Sequence, residues 1–464
     1  MSEIQKIISP IDGSVYAERP VARDAEIDAA VRAARAALPE WKAVPVAERK
    51  RYILAFLDAL LATNDDIAVE LAWQMGRPVR YGGEKGSVEE RTRAMVALAE
   101  GALRPYYPPE KPGFRRYITR EPVGVVLVIA PWNYPYLTAV NTIVPGLLAG
   151  NAIILKHAAQ TLLVGERFAE AFRRAGLPKG LFHNLVMSHD QAQKLIGSGR
   201  IDHVNFTGSV PGGRSVERAA AGTFTSTGFE LGGKDPAYVR ADAKLDHAIE
   251  NLVDGSFYNS GQSCCGIERI YVDAKVYDNF VEGFADRTRK YVVGNPLDQA
   301  TTLGPLVRGS SADIVRGQIE EAKREGARAL INMKVEGDRS GSPYLAPEVL
   351  INVNHQMELM REESFGPVVG IMKVRDDDEA VTLMNDSPYG LTASIWTRDA
   401  DRAAELGVRI ETGMVFMNRC DYLDPYLVWT GVKDTGRGAA LSKYGLDALT
   451  QPKSFHLRLL AENG

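Results

Sequence analysis

The chain has 464 residues, 45% of them hydrophobic and 25% charged, an ordinary globular composition at a length beyond one hydrophobic core, so at least two large domains are expected. Its 55 basic and 59 acidic residues leave a net charge of −4 without a long block of either sign, which gives no footing for a nucleic-acid partner or an acidic tail. Met1 to Val21 lacks a basic region followed by an apolar core and no apolar run nears membrane-spanning length, so a cytoplasmic protein without membrane contact is expected.

The predicted elements begin with helices. Ile27, Ala30, Val31, Ala34 and Leu38 follow helical spacing, and a second long helical pattern occupies Ala47 to Met75. Both predict an amphipathic layer without chemistry. After a Pro/Gly-rich, basic connection from Arg104 to Arg120, short apolar runs alternate with helices. Strands are predicted at Val123 to Ile129, Ala152 to Leu155, Phe182 to Val186 and His203 to Phe206. Between the first three lie helices Leu137 to Leu148, ending at Gly150, and Thr161 to Ala175, stopped by Gly176 and Pro178. Such alternation predicts a doubly wound parallel sheet that binds ligands at the C-terminal ends of its strands. A helix from Leu245, a strand Arg269 to Val272, helices Val276 to Tyr291 and Ser311 to Arg324, and further alternation to Val415 predict a second α/β domain. The tail from Leu449 to Leu460 has the pattern of a strand in need of a partner.

Cys264, Cys265 and Cys420 are the only cysteines, too few for a disulfide framework and without the paired spacing of a zinc site, so no metal is expected. Two adjacent thiols inside Gly261-Gln262-Ser263-Cys264-Cys265 point instead to a reactive loop. Upstream lies Glu230-Leu231-Gly232-Gly233-Lys234, whose carboxylate sits between Phe229 and Leu231, where burial without purpose is costly. A thiol that ionises and a carboxylate that acts as base are the minimum equipment for covalent acyl chemistry. Gly208 and Gly213 bracket a turn whose following helix has N-terminal amides to offer a pyrophosphate.

Five stretches in this order resemble the aldehyde dehydrogenase superfamily: Ala130-Pro131-Trp132-Asn133-Tyr134-Pro135, Phe206-Thr207-Gly208-Ser209 to Gly213, the Glu230 to Lys234 run, the Gly261 to Cys265 loop, and Glu362-Glu363-Ser364-Phe365-Gly366-Pro367. The resemblance covers Ile7 to Leu457. It implies Cys264 as nucleophile on an aldehyde carbon, Asn133 with the Cys264 backbone N–H as oxyanion donors, and Glu230 as the base that activates water against a thioester. Free thiols have a pKa of about 8.5, so Cys264 needs activation by its surroundings. For Asn133 the alternative is a cap on a helix starting near Tyr136. The resemblance further implies cofactor contacts from Trp132, Lys156, Gly208, Ser209, Gly213, Glu363 and Phe365, the cofactor being NAD or NADP. In Lys156-His157-Ala158-Ala159, Ala159 replaces the glutamate with which many NAD-dependent members bind the adenosine ribose, so NADP is expected to be tolerated or preferred.

For the substrate, the matching positions are Tyr134, Thr138 and Asn141 on one wall, Ser263 and Cys265 beside the nucleophile, and Leu423 and Trp429 in the segment Arg419 to Trp429 at the mouth. Aromatics with Asp421 and Asp424 suit an aromatic aldehyde or a cationic amino-aldehyde, or are ordinary loop polarity. The fold implied is α/β with two doubly wound parallel-sheet domains. Residues 1–102 and 123–232 form the NAD(P)-binding domain and 233–448 the catalytic domain; 103–122 with 449–464 make a small β element for a homodimer or homotetramer. The function implied is NAD(P)-dependent, non-acylating oxidation of a small aldehyde to an acid. A CoA-acylating dehydrogenase and a non-catalytic protein retaining the fold are the alternatives.

Overall fold

The computed structural model describes residues 3–460; the chain ends assigned above to the first and last segments, residues 1–2 and 461–464, lie outside the described residues. Two α/β sheets dominate. The first has six strands in the order Gly436–Arg437, Ser226–Glu230, His203–Thr207, Val125–Ala130, Ala152–His157 and Phe182–Asn184, parallel except for the first pair. Val125–Ala130 and Ala152–His157 are buried at every residue, as expected of strands covered on both faces. From Val125–Ala130 the chain winds to one edge, returns to His203–Thr207 and proceeds to the other. The order therefore reverses between Val125–Ala130 and His203–Thr207, where such sheets open a crevice.

The second sheet has seven strands in the order Arg328–Ala329, Glu348–Ile351, Val368–Val374, Ile267–Asp273, Asp235–Val239, Thr392–Trp396 and Met414–Met417, parallel except at Arg328–Ala329. The segment that follows the last strand of the second sheet returns to the first, where Gly436 pairs with Glu230 and Arg437 with Phe229. The tail finds its strand partner within the chain: Thr450–Arg458 runs antiparallel to Phe114–Pro122, with Tyr117 stacked on Phe455 at 4.4 Å. Among the described residues no helix is long and apolar enough to cross a membrane.

Four local differences from the sequence reading have physical causes. The chain opens with a hairpin, Ile4–Ile8 against Val15–Pro20, turned through Asp12 and Gly13; Asp12 accepts from the Ser14 amide and Gly13 adopts φ 77°. The pattern from Ala47 to Met75 is two helices, Val46–Leu61 and Asn64–Met75, because Thr63 leaves helical geometry and its hydroxyl donates to the Leu60 carbonyl at 2.8 Å. A helix over Lys85–Leu103 had no counterpart in the reading. The helix expected after Gly213 begins at Val210, with Ser209 as its cap, so Gly213 lies inside it.

Candidate active site

Helix Leu245–Phe257 delivers the chain to the cysteine loop through three successive left-handed residues, Asn259, Ser260 and Gly261 (φ 54°, 59° and 71°). Non-glycine residues enter this region only at a cost of about 1–2 kcal/mol each. Compensation comes from side chains: Asn259 donates to the carbonyls of Asn133 and Gln262, each at 3.2 Å, and Ser260 to that of Gly304 at 2.8 Å. At position 261 only glycine fits, since a Cβ would lie 2.2 Å from the Gly366 carbonyl oxygen. Cys264 emerges just before strand Ile267–Asp273, at the N-terminal edge of the second sheet. It faces the C-terminal ends of Val125–Ala130, His203–Thr207 and Ser226–Glu230 in the first. The crevice expected at strand C-termini is thus closed by the opposite edge of another sheet.

Glu230 ends its strand beside Cys264. Its Oε2 accepts a long bond from the Thr207 hydroxyl at 3.4 Å, while Oε1 is shielded from solvent without a partner among the described residues. Burial raises its carboxyl to about 7, with Arg91 and then Thr207 opposing the rise. Asn133 is buried, and its Nδ2 donates to the Gln262 carbonyl at 3.2 Å. It caps nothing: the helix it precedes, Pro135–Ala149, has Tyr134 at its cap and no side-chain cap bond. The Asn133 amide is therefore held against the cysteine loop.

Two cavities meet at Cys264. The smaller, about 180 Å³, is lined by Trp132, Asn133, Gly208, Ser209, Glu363 and Phe365 among others. Trp132 and Phe365 meet edge to face at 5.6 Å. Glu363 Oε1 accepts from the Gly233 amide at 2.9 Å, and burial followed by the neighbouring Glu268 pushes its carboxyl up to about 8. A residue that sequence reasoning missed, Glu268, positions this wall. It pairs with buried Lys234 at 2.5 Å and accepts from the amides of Ser364 and Phe365 at 2.8 and 2.9 Å. Lys234 also donates to Ser364 Oγ, so the Glu230–Lys234 run and the Glu362–Pro367 loop are clamped together. The signal in the sequence was a charged pair, Glu268 and Arg269, within a strand that also carries Ile267, Ile270 and Val272.

These residues fit a nicotinamide nucleotide: an aromatic slot for a ring, a carboxylate whose Oε2 has no hydrogen bond among the described residues and is left for ribose hydroxyls, and a helix N-terminus at Ser209 for phosphate. Ser209 Oγ accepts from the Gly212 amide at 3.3 Å, which orients that terminus. Gly213 packs against Leu231, whose Cδ2 would lie 2.6 Å from an added Cβ. Lys156 lines neither cavity; it is buried without a hydrogen bond among the described residues, and burial lowers its pKa. Its charge in turn holds His189 below the ordinary histidine range, with burial adding to the effect. Ala159 is exposed at the start of the short turn that follows.

The larger cavity, about 420 Å³, brings together all seven predicted substrate residues, Tyr134, Thr138, Asn141, Ser263, Cys265, Leu423 and Trp429. Thr138, Glu230 and Cys264 line both cavities. Cys265 is buried; its Sγ donates to Asp421 Oδ1 at 2.9 Å and Ser263 Oγ donates to the same oxygen at 3.3 Å. Contact with Cys264 and burial push the Cys265 thiol well up, so it stays neutral while Cys264 faces both cavities. Sequence reasoning also missed Arg77, Glu84 and Arg91 in this wall. Arg77 and Glu84 form a buried pair at 2.5 Å, and Arg77 stacks over the Tyr134 ring at 4.9 Å.

Residues 1–455 match the family model described as the aldehyde dehydrogenase family. A vanillin dehydrogenase of Corynebacterium glutamicum is 33% identical over 96% of this chain and 92% of its own. A succinate-semialdehyde dehydrogenase [NADP(+)] of Mycobacterium avium is 32% identical over 96% and 95%. Among solved structures, an NAD-dependent aldehyde dehydrogenase from Sinorhizobium meliloti superposes with a TM-score of 0.93 at 31% identity, covering 100% of this chain and 93% of that one.

Proposed function

The chain belongs to the aldehyde dehydrogenase family and is an oxidoreductase acting on aldehydes, and we propose that it converts an aldehyde to a carboxylic acid through a thioester on Cys264, with water as the final acceptor. The observation that carries this reading is that Cys264 and Glu230 are walls of both cavities at once. A substrate carbon in the larger cavity and a cofactor ring in the smaller one therefore meet at the thiol, within reach of a carboxylate.

The Cys264 thiolate attacks the aldehyde carbon; a C–S bond forms and the carbonyl pair moves onto oxygen. The Asn133 amide and the Cys264 N–H donate to that oxygen, and loss of one such donor costs about 2.7–4 kcal/mol of barrier. A nicotinamide nucleotide, when bound, supplies the hydride acceptor that lets the carbonyl re-form. Glu230 then takes a proton from water as its oxygen attacks the thioester carbon, the C–S bond breaks, and the acid leaves. Glu230 supports water rather than an acyl-accepting thiol such as CoA. NADP is the favoured or tolerated nucleotide because no carboxylate stands at Ala159, while Lys156 supplies a positive charge close by in the chain.

By this reading residues 1–102 and 123–232 hold the nucleotide, 233–448 carry the nucleophile, and the ribbon from 103–122 and 449–464 joins copies into a homodimer or homotetramer. The test follows NAD(P)H absorbance with each cofactor over a panel of aldehydes, for the parent and Cys264→Ala. Turnover in the parent and none in the variant is expected, with NADP at least matching NAD in kcat/KM. Equal turnover by the variant overturns the nucleophile, and a strong NAD preference overturns the cofactor reading.

A further inference from the structure

Arg91 projects from helix Lys85–Leu103 into the wall of the larger cavity and is only 5% exposed. Its Nη1 donates to the Leu137 carbonyl at 3.2 Å and to Asn141 Oδ1 at 3.0 Å, both neutral acceptors. Nε and Nη2 make no hydrogen bond among the described residues, and no carboxylate lies within ion-pair distance. Guanidinium donates and never accepts, and it keeps its charge in proteins, so a buried one with idle nitrogens calls for an acceptor. Two other buried arginines are more fully provided for: Arg77 pairs with Glu84, and Arg269 donates to the carbonyls of Lys234, Leu383 and Met384.

A second idle donor lines the same cavity. The Tyr134 hydroxyl is shielded from solvent and has no partner among the described residues. The acids nearby are engaged or have their carboxyls raised by burial. Glu84 accepts from Arg77 and from the Leu137 amide, Glu90 from the Tyr422 hydroxyl, and Asp421 from Cys265 and Ser263. Burial brings Asp421, like Glu230, to about 7, and it raises Asp254. Two tyrosine faces in this wall are already covered by guanidinium groups, Arg77 over Tyr134 at 4.9 Å and Arg419 over Tyr422 at 3.2 Å.

Resting on the aldehyde-oxidising reading above, we propose that this enzyme selects aldehydes whose far end carries an anionic oxygen, a carboxylate or a phenolate, bound by Arg91 with the Tyr134 hydroxyl. Arg91 and Tyr134 are unspent donors in this wall, and an oxygen anion accepts from both. Arg91 is a specificity residue in this scheme; Asn141 and the Leu137 carbonyl aim it.

The test compares kcat/KM for matched pairs within one enzyme preparation: succinic semialdehyde against pentanal, and 4-hydroxybenzaldehyde, above its phenol pKa, against benzaldehyde. An ammonium-bearing probe, 3-aminopropanal, is run alongside, with the parent, Arg91→Lys and Arg91→Met. Each ratio is taken on the same protein, so a fraction lost to misfolding cancels. A preference of tenfold or more for one anionic member is expected in the parent; which pair shows it identifies carboxylate or phenolate. Arg91→Met brings the ratio close to one, mainly through KM, and Arg91→Lys keeps part of it as a point charge without the fork. No preference in the parent, a preference that survives Arg91→Met, or favour for the ammonium probe overturns the proposal. Silence toward every aldehyde overturns the underlying reading as well, whereas turnover without charge preference overturns only the role of Arg91.

Discussion

Glu230 shows how one side chain acquires a function from its surroundings. An exposed glutamate titrates at about 4.3 and makes a weak base at neutral pH. Here burial moves the group to about 7, and the nearby Arg91 charge limits the move. Below that value the carboxyl holds its proton and takes none from water; above it the base is ready. A thioester-hydrolysis-limited kcat should therefore fall about tenfold per pH unit below 7 and level off above it. Replacement by Gln removes the base and leaves thiol addition in place. Glu230→Gln should release NAD(P)H in a burst of one equivalent per site and then stall, visible by stopped-flow absorbance. Continued turnover at the parental rate without a burst would mean another group activates the water.

At the scale of elements, the cysteine loop works because a strained turn is wedged against a second loop. Gly261 has both a left-handed φ of 71° and a Cβ position 2.2 Å from the Gly366 oxygen. Gly13 has φ 77° with nothing near it. Gly13→Ala should cost only the conformational term, about 1 kcal/mol. Gly261→Ala must in addition displace the Glu362–Pro367 loop, so it should lower the melting temperature by more and reduce kcat together with cofactor affinity. Thermal melts and cofactor titrations of the two variants separate strain from collision; equal losses would mean that the wedge contributes nothing. This loop was legible as a motif but not as a geometry, because Gly366 lies a hundred residues downstream of it. Regular elements were legible wherever period and stops agreed, as from Ala152 to Gly176. Helix Lys85–Leu103 went unread because Arg91 and Thr92 interrupt its apolar stripe at Val88, Met95 and Ala99. That interruption was itself the signal of a buried polar group facing a cavity. Glu268 was hidden for the same reason: its partners Lys234, Ser364 and Phe365 are contiguous only in space.

For the whole molecule, burial of titratable groups sets opposed pH dependences. His157 and His203 lie within the first sheet, both held at about 4 by burial. Each is neutral in the fold, while the unfolded chain takes up a proton below about 6.5. Between pH 6.5 and 4 the unfolded state binds more protons, so each histidine withdraws stability as the pH falls, about 1.4 kcal/mol per unit. Glu230, Asp421 and Glu363 act in the other sense, for their raised values favour the fold when protonated and withdraw stability as the pH rises from about 4 toward 7 or 8. The net slope mixes both sets, but a difference between two proteins isolates one member. His203 Nδ1 meets the Ser226 hydroxyl at 2.8 Å, a contact that an Asn amide can replace without titrating. Parent and His203→Asn should therefore differ in how much stability they lose between pH 7.5 and 4.5, with the variant losing about 2–3 kcal/mol less in denaturant melts. Parallel losses would mean that His203 is protonated within the fold; a smaller loss in the variant ties acid lability to a histidine buried in the sheet that carries Glu230.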